Sequence, residues 1–90
     1  MKTLNAVVID PVGLHARPAT VAVSTAAKFK CSITVGKAEG GKTVNMKSIM
    51  GVMGLGIPTQ TEIVITFDGE DEDVALATVE AKLREQKVIA

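Results

Sequence analysis

The sequence predicts an α+β domain of element order βαββαβα, with its helices covering one face of a small, largely antiparallel sheet. Three observations carry that prediction. Glu62 to Phe67 alternate strongly, with Ile63, Ile65 and Phe67 on one face and Glu62, Val64 and Thr66 on the other, which is the period of a strand. Ala19, Ala22, Val23, Ala26 and Ala27 recur at helical spacing. Two β-prone runs flank Ala38-Glu39-Gly40-Gly41, whose glycines can take the positive φ angles of a hairpin loop. Strands with one apolar face and helices with an apolar stripe bury both by packing together, leaving the other sheet face to solvent.

Taken in order, Thr3 to Ile9 is β-branched and aliphatic and stops at Asp10-Pro11, where the proline lacks the donor that a continuing ladder requires. A helix follows from Ala16 to about Lys28, with Pro18 in the first turn, where a missing N–H costs nothing. Ser32 to Lys37 and Lys42 to Met46 are the two strands of the hairpin. Ser48 can cap a short helix through about Met53, which ends near Gly54-Leu55-Gly56-Ile57-Pro58. After the alternating strand, Asp71 is the expected cap of a last helix to about Lys87, with Leu76, Val79 and Leu83 as its buried stripe. Periodicity supports this layering without revealing the strand order.

Ninety residues fit one domain spanning residues 1–90, and 47% apolar with 22% charged residues is an ordinary globular mixture. Ten basic and ten acidic residues cancel, so nothing drives direct nucleic-acid binding by counterion release. Phe29 and Phe67 are the only aromatics, too few for base stacking. One histidine and one cysteine, Cys31, exclude a structural zinc cluster and an internal disulfide, so no metal and no cofactor is expected and Cys31 reads as a packing residue. The amino-terminal apolar run is too short for membrane insertion or a signal, and a cytoplasmic protein is expected.

The chemistry concentrates in Gly13-Leu14-His15-Ala16-Arg17-Pro18-Ala19-Thr20, which puts the one histidine at the start of the first helix. The first N–H groups of a helix have no intrahelical partner, and the helix dipole is positive there, so the position favours an anion such as phosphate. Positive potential from that end and from Arg17 keeps a ring nitrogen of His15 unprotonated and nucleophilic. A phosphoryl group on His15 could then be held by the N–H groups of Ala16 and Arg17 and by the Arg17 guanidinium. The plainer alternative is a histidine that merely caps the helix or lies on the surface, with Arg17 a solvated charge.

Lys47-Ser48-Ile49-Met50-Gly51-Val52-Met53-Gly54-Leu55 places more apolar side chains on a short stretch than it can bury beneath itself. Ile49, Met50 and Met53 can share a helix face, and flexible thioethers suit a docking surface that adapts to several partners. The same stripe is also what ordinary core looks like. Ser48 is explained well as an N-cap, and a phosphoryl group there would add negative charge beside the apolar surface.

GLHARPAT, followed at the expected distance by KTVNMKSIMGVMGLGI, resembles the histidine-containing phosphocarrier (HPr) family of the bacterial sugar phosphotransferase system across essentially the whole chain. The resemblance implies an open-faced β-sandwich with spatial strand order one, four, two, three and three helices on one side. It implies a monomeric carrier rather than an enzyme, accepting phosphoryl from phosphorylated enzyme I on Nδ1 of His15 and donating it to IIA proteins or domains of sugar permeases.

Leu14, Ile49, Met50, Met53 and Leu55 fall where the family has its partner-facing hydrophobic patch, and Lys47 could add electrostatic attraction to acidic partner surfaces. Ser48 matches the regulatory serine, which implies an HPr kinase/phosphorylase and a catabolite-control transcription factor as further partners. Gln60 stands where glycine is common, Gly54 replaces a frequent serine or alanine, and Asp10-Pro11-Val12 precedes the glycine, departures that bear on loop shape and partner preference. The intact His15 separates the chain from the paralogue Crh. Competing readings are a purely regulatory module in which His15 is structural, and a small-ligand-binding domain.

Overall fold

The computed structural model describes residues 1–90. Its elements are β1 (Lys2–Val7), α1 (Ala16–Ala26), β2 (Ser32–Lys37), β3 (Thr43–Asn45), α2 (Ile49–Gly54), β4 (Glu62–Asp68) and α3 (Glu72–Glu85). All strand pairs are antiparallel in the order β1-β4-β2-β3, the order that the resemblance implies.

The alternation of β4 sets the layering. Ile65 lies opposite Leu4 on one side and Val35 on the other, and Phe67 lies opposite Ile33. All five are buried, together with Ile63. Removing a side chain such as Ile65 or Phe67 from water is worth about 1.5–3 kcal/mol. The intervening residues Thr3, Asn5 and Ser32 are exposed, and Thr34, Val64 and Thr66 are half-buried, so the second sheet face carries no core.

Helix α1 packs along α3, and α2 lies against α1 and β3. The buried side of α1 is Pro18, Ala19, Ala22, Thr25 and Ala26. Relative to the expected stripe, Val23 is half-buried and Ala27, beyond the helix end, is exposed. Thr25 takes a core place because its hydroxyl donates to the Val21 carbonyl at 2.8 Å, which satisfies the polar atom internally. In α3 the buried residues are Ala75, Val79 and Leu83, with Leu76 half-buried at the margin.

Several boundaries differ from expectation for identifiable reasons. β1 ends at Val7; Val8 still bonds to Thr61 and Gln60 on the β4 side, while Val7 O and the Ile9 amide on either side of it engage the carboxy-terminal segment. Val8 bridges Ile89, the Ile9 amide donates to Val88 O at 2.8 Å and the Ala90 amide to Val7 O at 3.1 Å. α3 correspondingly stops at Glu85, and Lys87 turns the chain with φ 57°. α1 ends at Ala26 and β3 spans only three residues, with Met46 leaving the strand to enter the core. Gln60 adopts φ 64°, a left-handed conformation that costs a non-glycine residue about 1 kcal/mol, which explains why glycine suits that turn.

Asp71 stands at the start of α3, but its side chain makes no capping bond. Its carboxylate accepts from the Lys30 amide at 2.8 Å and the Cys31 amide at 2.9 Å, tying the entry of β2 to α3. Glu72 serves the helix entry instead, accepting from the Gly69 amide at 3.1 Å. Donation by the Lys30 amide, with help from Cys31, holds the Asp71 carboxyl below the usual carboxylate range. Its stabilisation is therefore complete above the unfolded value, near about pH 3.9, and is lost as pH falls through the lower folded value. Urea unfolding of Asp71→Asn measured down the acid limb should lose stability less steeply than the parent chain; parallel limbs would remove Asp71 from this account. Cys31 is buried beside it, as a packing residue should be, and burial pushes its thiol up. No helix is long and apolar enough to cross a membrane.

Candidate functional site

Two loops close on each other to form the site. Gly13 takes φ +89°, and a Cβ there would meet the Ile57 carbonyl oxygen and lie 2.8 Å from Pro58 Cα. Only glycine allows that approach. The Leu14 amide donates to Ile57 O at 2.9 Å, and the Gly13 amide to Asp10 O at the same distance. The chain is thus turned twice in five residues and delivers His15 to the start of α1.

His15 occupies the N-cap position in extended backbone, and its carbonyl accepts from the Ala19 amide at 2.9 Å. Its side chain makes no cap bond, which sets aside the capping alternative. The amides of Ala16 and Arg17 therefore lack intrahelical partners, and Pro18 has no N–H to satisfy. The imidazole is 37% exposed, open enough for an approaching group to reach it.

Sequence reasoning missed Asp10 as a site residue, reading it as the end of a strand and as part of a loop departure before the glycine. Its side chain is 4% exposed and faces three groups. The Val12 amide donates to Oδ1 at 3.0 Å, Arg17 Nη2 donates to Oδ2 at 2.9 Å, and His15 Nε2 lies 3.3 Å from Oδ1. The Val12 amide and, after it, the neighbouring His15 and Arg17 side chains hold the Asp10 carboxyl below its usual range. The setting of His15 is thus not uniformly positive, and Arg17, though exposed, is ion-paired rather than simply solvated. The available signal was an acidic residue just before a Pro-x-Gly turn that doubles the chain back towards its own histidine and arginine.

The family described as "PTS HPr component phosphorylation site" matches residues 2–85. The chain belongs to the HPr family. The phosphocarrier protein HPr of Mycoplasma genitalium is 47% identical over 89 residues, covering 99% of this chain and all of that protein. A solved Mycoplasma histidine-containing phosphocarrier protein superposes with a TM-score of 0.92 at 41% identity, over 98% of each chain. HPr from Thermoanaerobacter tengcongensis gives 0.87 at 40% identity, over 98% of this chain and 96% of that one. As an HPr protein the chain is a phosphoryl carrier of the phosphotransferase system and not an enzyme.

Within this HPr fold the expected partner patch divides. Met50 is 83% exposed, Ile49 and Met53 are also exposed, and Leu55 is half-buried at the edge of the core. Val52 is buried and anchors the short helix, so the stripe serves both surface and core. Leu14, expected in that patch, is instead 7% exposed and packs in the core, with its amide bonded to Ile57 O. Lys47 is half-buried, with Nζ donating to Phe29 O at 2.6 Å just beyond α1, where carbonyls lack intrahelical donors. Ser48 is exposed and caps α2, its hydroxyl oxygen accepting from the Gly51 amide at 3.1 Å.

Proposed function

We propose that His15 is the residue that carries the phosphoryl group, taking it on Nδ1 from phosphorylated enzyme I and passing it to IIA proteins or domains of sugar permeases. The observation that supports this most strongly is the open imidazole at an uncapped helix start, beside the free amides of Ala16 and Arg17. Those amides receive the phosphoryl oxygens, and Arg17, exposed and paired with Asp10 in the resting protein, adds a charge-assisted bond. Holding stays modest because a carrier must release what it accepts. The protein works as a monomer in the cytoplasm, presenting Ile49, Met50 and Met53 to its partners, with Leu55 and Lys47 at the rim. Incubation with phosphoenolpyruvate and enzyme I should add one acid-labile phosphoryl group per chain. A chain that stays unmodified by active enzyme I would refute the assignment.

Ser48 supports a regulatory reading of the same surface. Its hydroxyl is exposed and adjoins the apolar patch, so a phosphate there changes the charge met by every partner that docks on Met50. HPr kinase/phosphorylase is the modifying partner, and the seryl-phosphorylated form acts with a catabolite-control transcription factor. Kinase and ATP should yield an acid-stable phosphate that Ser48→Ala loses; its persistence in that variant would place the modification elsewhere.

A further inference from the structure

We infer that Asp10 is a positioning residue for the carrier chemistry: its carboxylate holds the proton on Nε2 of His15, so that Nδ1 presents its lone pair. This rests on the reading that His15 is the phosphoryl acceptor. Three features of the geometry support it. Oδ1 lies 3.3 Å from Nε2, and contacts of this kind in resting proteins commonly shorten when the reacting complex forms. The carboxylate is itself fixed, by the Val12 amide on Oδ1 and by Arg17 on Oδ2, and is almost entirely withdrawn from water. Its backbone is held as well, through the Gly13 amide on Asp10 O and the Ile9 amide on Val88 O.

The two ring nitrogens of a neutral imidazole cannot both be bare, so a carboxylate at one fixes the tautomer and leaves the other as the nucleophile. In the forward step the Nδ1 lone pair forms a bond to phosphorus while the donor's bond to phosphorus breaks, the electron pair leaving with the donor. Nε2 keeps its proton throughout. The phosphorylated ring then carries a formal positive charge, and Asp10 stands opposite that charge, as an orienting carboxylate stabilises an imidazolium in a hydrolase triad. In onward transfer the P–N bond breaks, its electron pair returns to Nδ1, and the ring leaves as neutral imidazole. Loss of the Nε2 proton would make that ring a poorer leaving group, so one carboxylate assists both directions.

The same carboxylate governs Arg17. Before transfer its guanidinium is engaged by Oδ2; once the ring holds a phosphoryl group, the new anion competes for it. Asp10 therefore keeps Arg17 close to the acceptor without committing it to a free anion.

The test uses the whole protein labelled with 15N. Ring 15N shifts of the unmodified neutral histidine should report the Nε2–H tautomer as dominant. Asp10→Ala should mix the tautomers and slow phosphoryl uptake from phosphorylated enzyme I by about ten- to a hundred-fold, the loss expected when an orienting partner is removed. Asp10→Asn, whose amide oxygen can still accept from Nε2 but carries no charge, should keep more of the tautomer preference and fall between the two in rate. A parent protein dominated by Nδ1–H would overturn the inference without any variant, which also covers the case of Asp10→Ala failing to fold. Unchanged uptake in a folded Asp10→Ala would overturn it too. If instead phosphorylation of the parent chain maps to a residue other than His15, the carrier assignment itself fails.

Discussion

His15→Ala should abolish the acid-labile phosphoryl group completely while shifting the thermal midpoint by no more than about 4 °C. The two halves of that expectation have separate causes. The chain contains one histidine, so no second imidazole can substitute as acceptor. The ring, in turn, supports little structure: it makes no cap bond, it is open to solvent, and its contact with Asp10 leaves behind a carboxylate still satisfied by Val12 and Arg17. Phosphate analysis after exposure to phosphoenolpyruvate and enzyme I, run beside a melting curve, checks both. Undiminished uptake would mean that a different group accepts the phosphoryl. Lost uptake accompanied by unfolding would mean that the ring holds the loop together, contrary to the contacts described.

Gly13→Ala should be the more damaging change to stability, and it should impair the site as well. At φ +89° a side chain is strained by about 1–3 kcal/mol. The added Cβ also presses on the Ile57 carbonyl and Pro58, and overpacking of this kind costs a further 1–3 kcal/mol or so. The neighbours are backbone atoms, which cannot rotate aside as a side chain would. Relief requires the two loops to separate, which breaks the bond from the Leu14 amide to Ile57 and displaces the start of α1. Urea unfolding should reveal a loss of about 2 kcal/mol at the least, a large share of what a small domain has. Phosphoryl uptake should slow even under conditions where the variant is folded. Parental stability in Gly13→Ala would show that the loops are less tightly apposed than described.

The layers were legible in the sequence because they depend on local periodicity. Ile63, Ile65 and Phe67 announce a one-sided strand wherever that strand is placed, and Pro18 marks a helix start from its own chemistry. The site was legible where one short frame contains it, as with His15, Ala16 and Arg17. It was illegible where the chain folds back. Asp10 reads as the end of a strand, and only the positive φ of Gly13 returns the chain so that a carboxylate faces an imidazole five residues later. Leu14 has the composition of a docking residue, yet it is buried in the core where its loop meets the one at Ile57. Asp71 has the identity and position of a helix cap, but the amides of Lys30 and Cys31, some forty residues away in sequence, claim its oxygens. The division of Ile49, Met50, Val52 and Met53 between surface and core likewise depends on how α2 is laid on its neighbours.

The pairing of Val88, Ile89 and Ala90 with residues 7–9 governs when the acceptor can be completed during biosynthesis. Asp10 follows directly from a backbone segment whose hydrogen-bond partners are translated some eighty codons later. Contacts spanning so much chain form late, after the entropy of closing the loop has been overcome. A polypeptide whose residues 88–90 have not yet joined the sheet has its histidine but not the fully braced surroundings, so full competence to accept phosphate should appear only once that segment has paired.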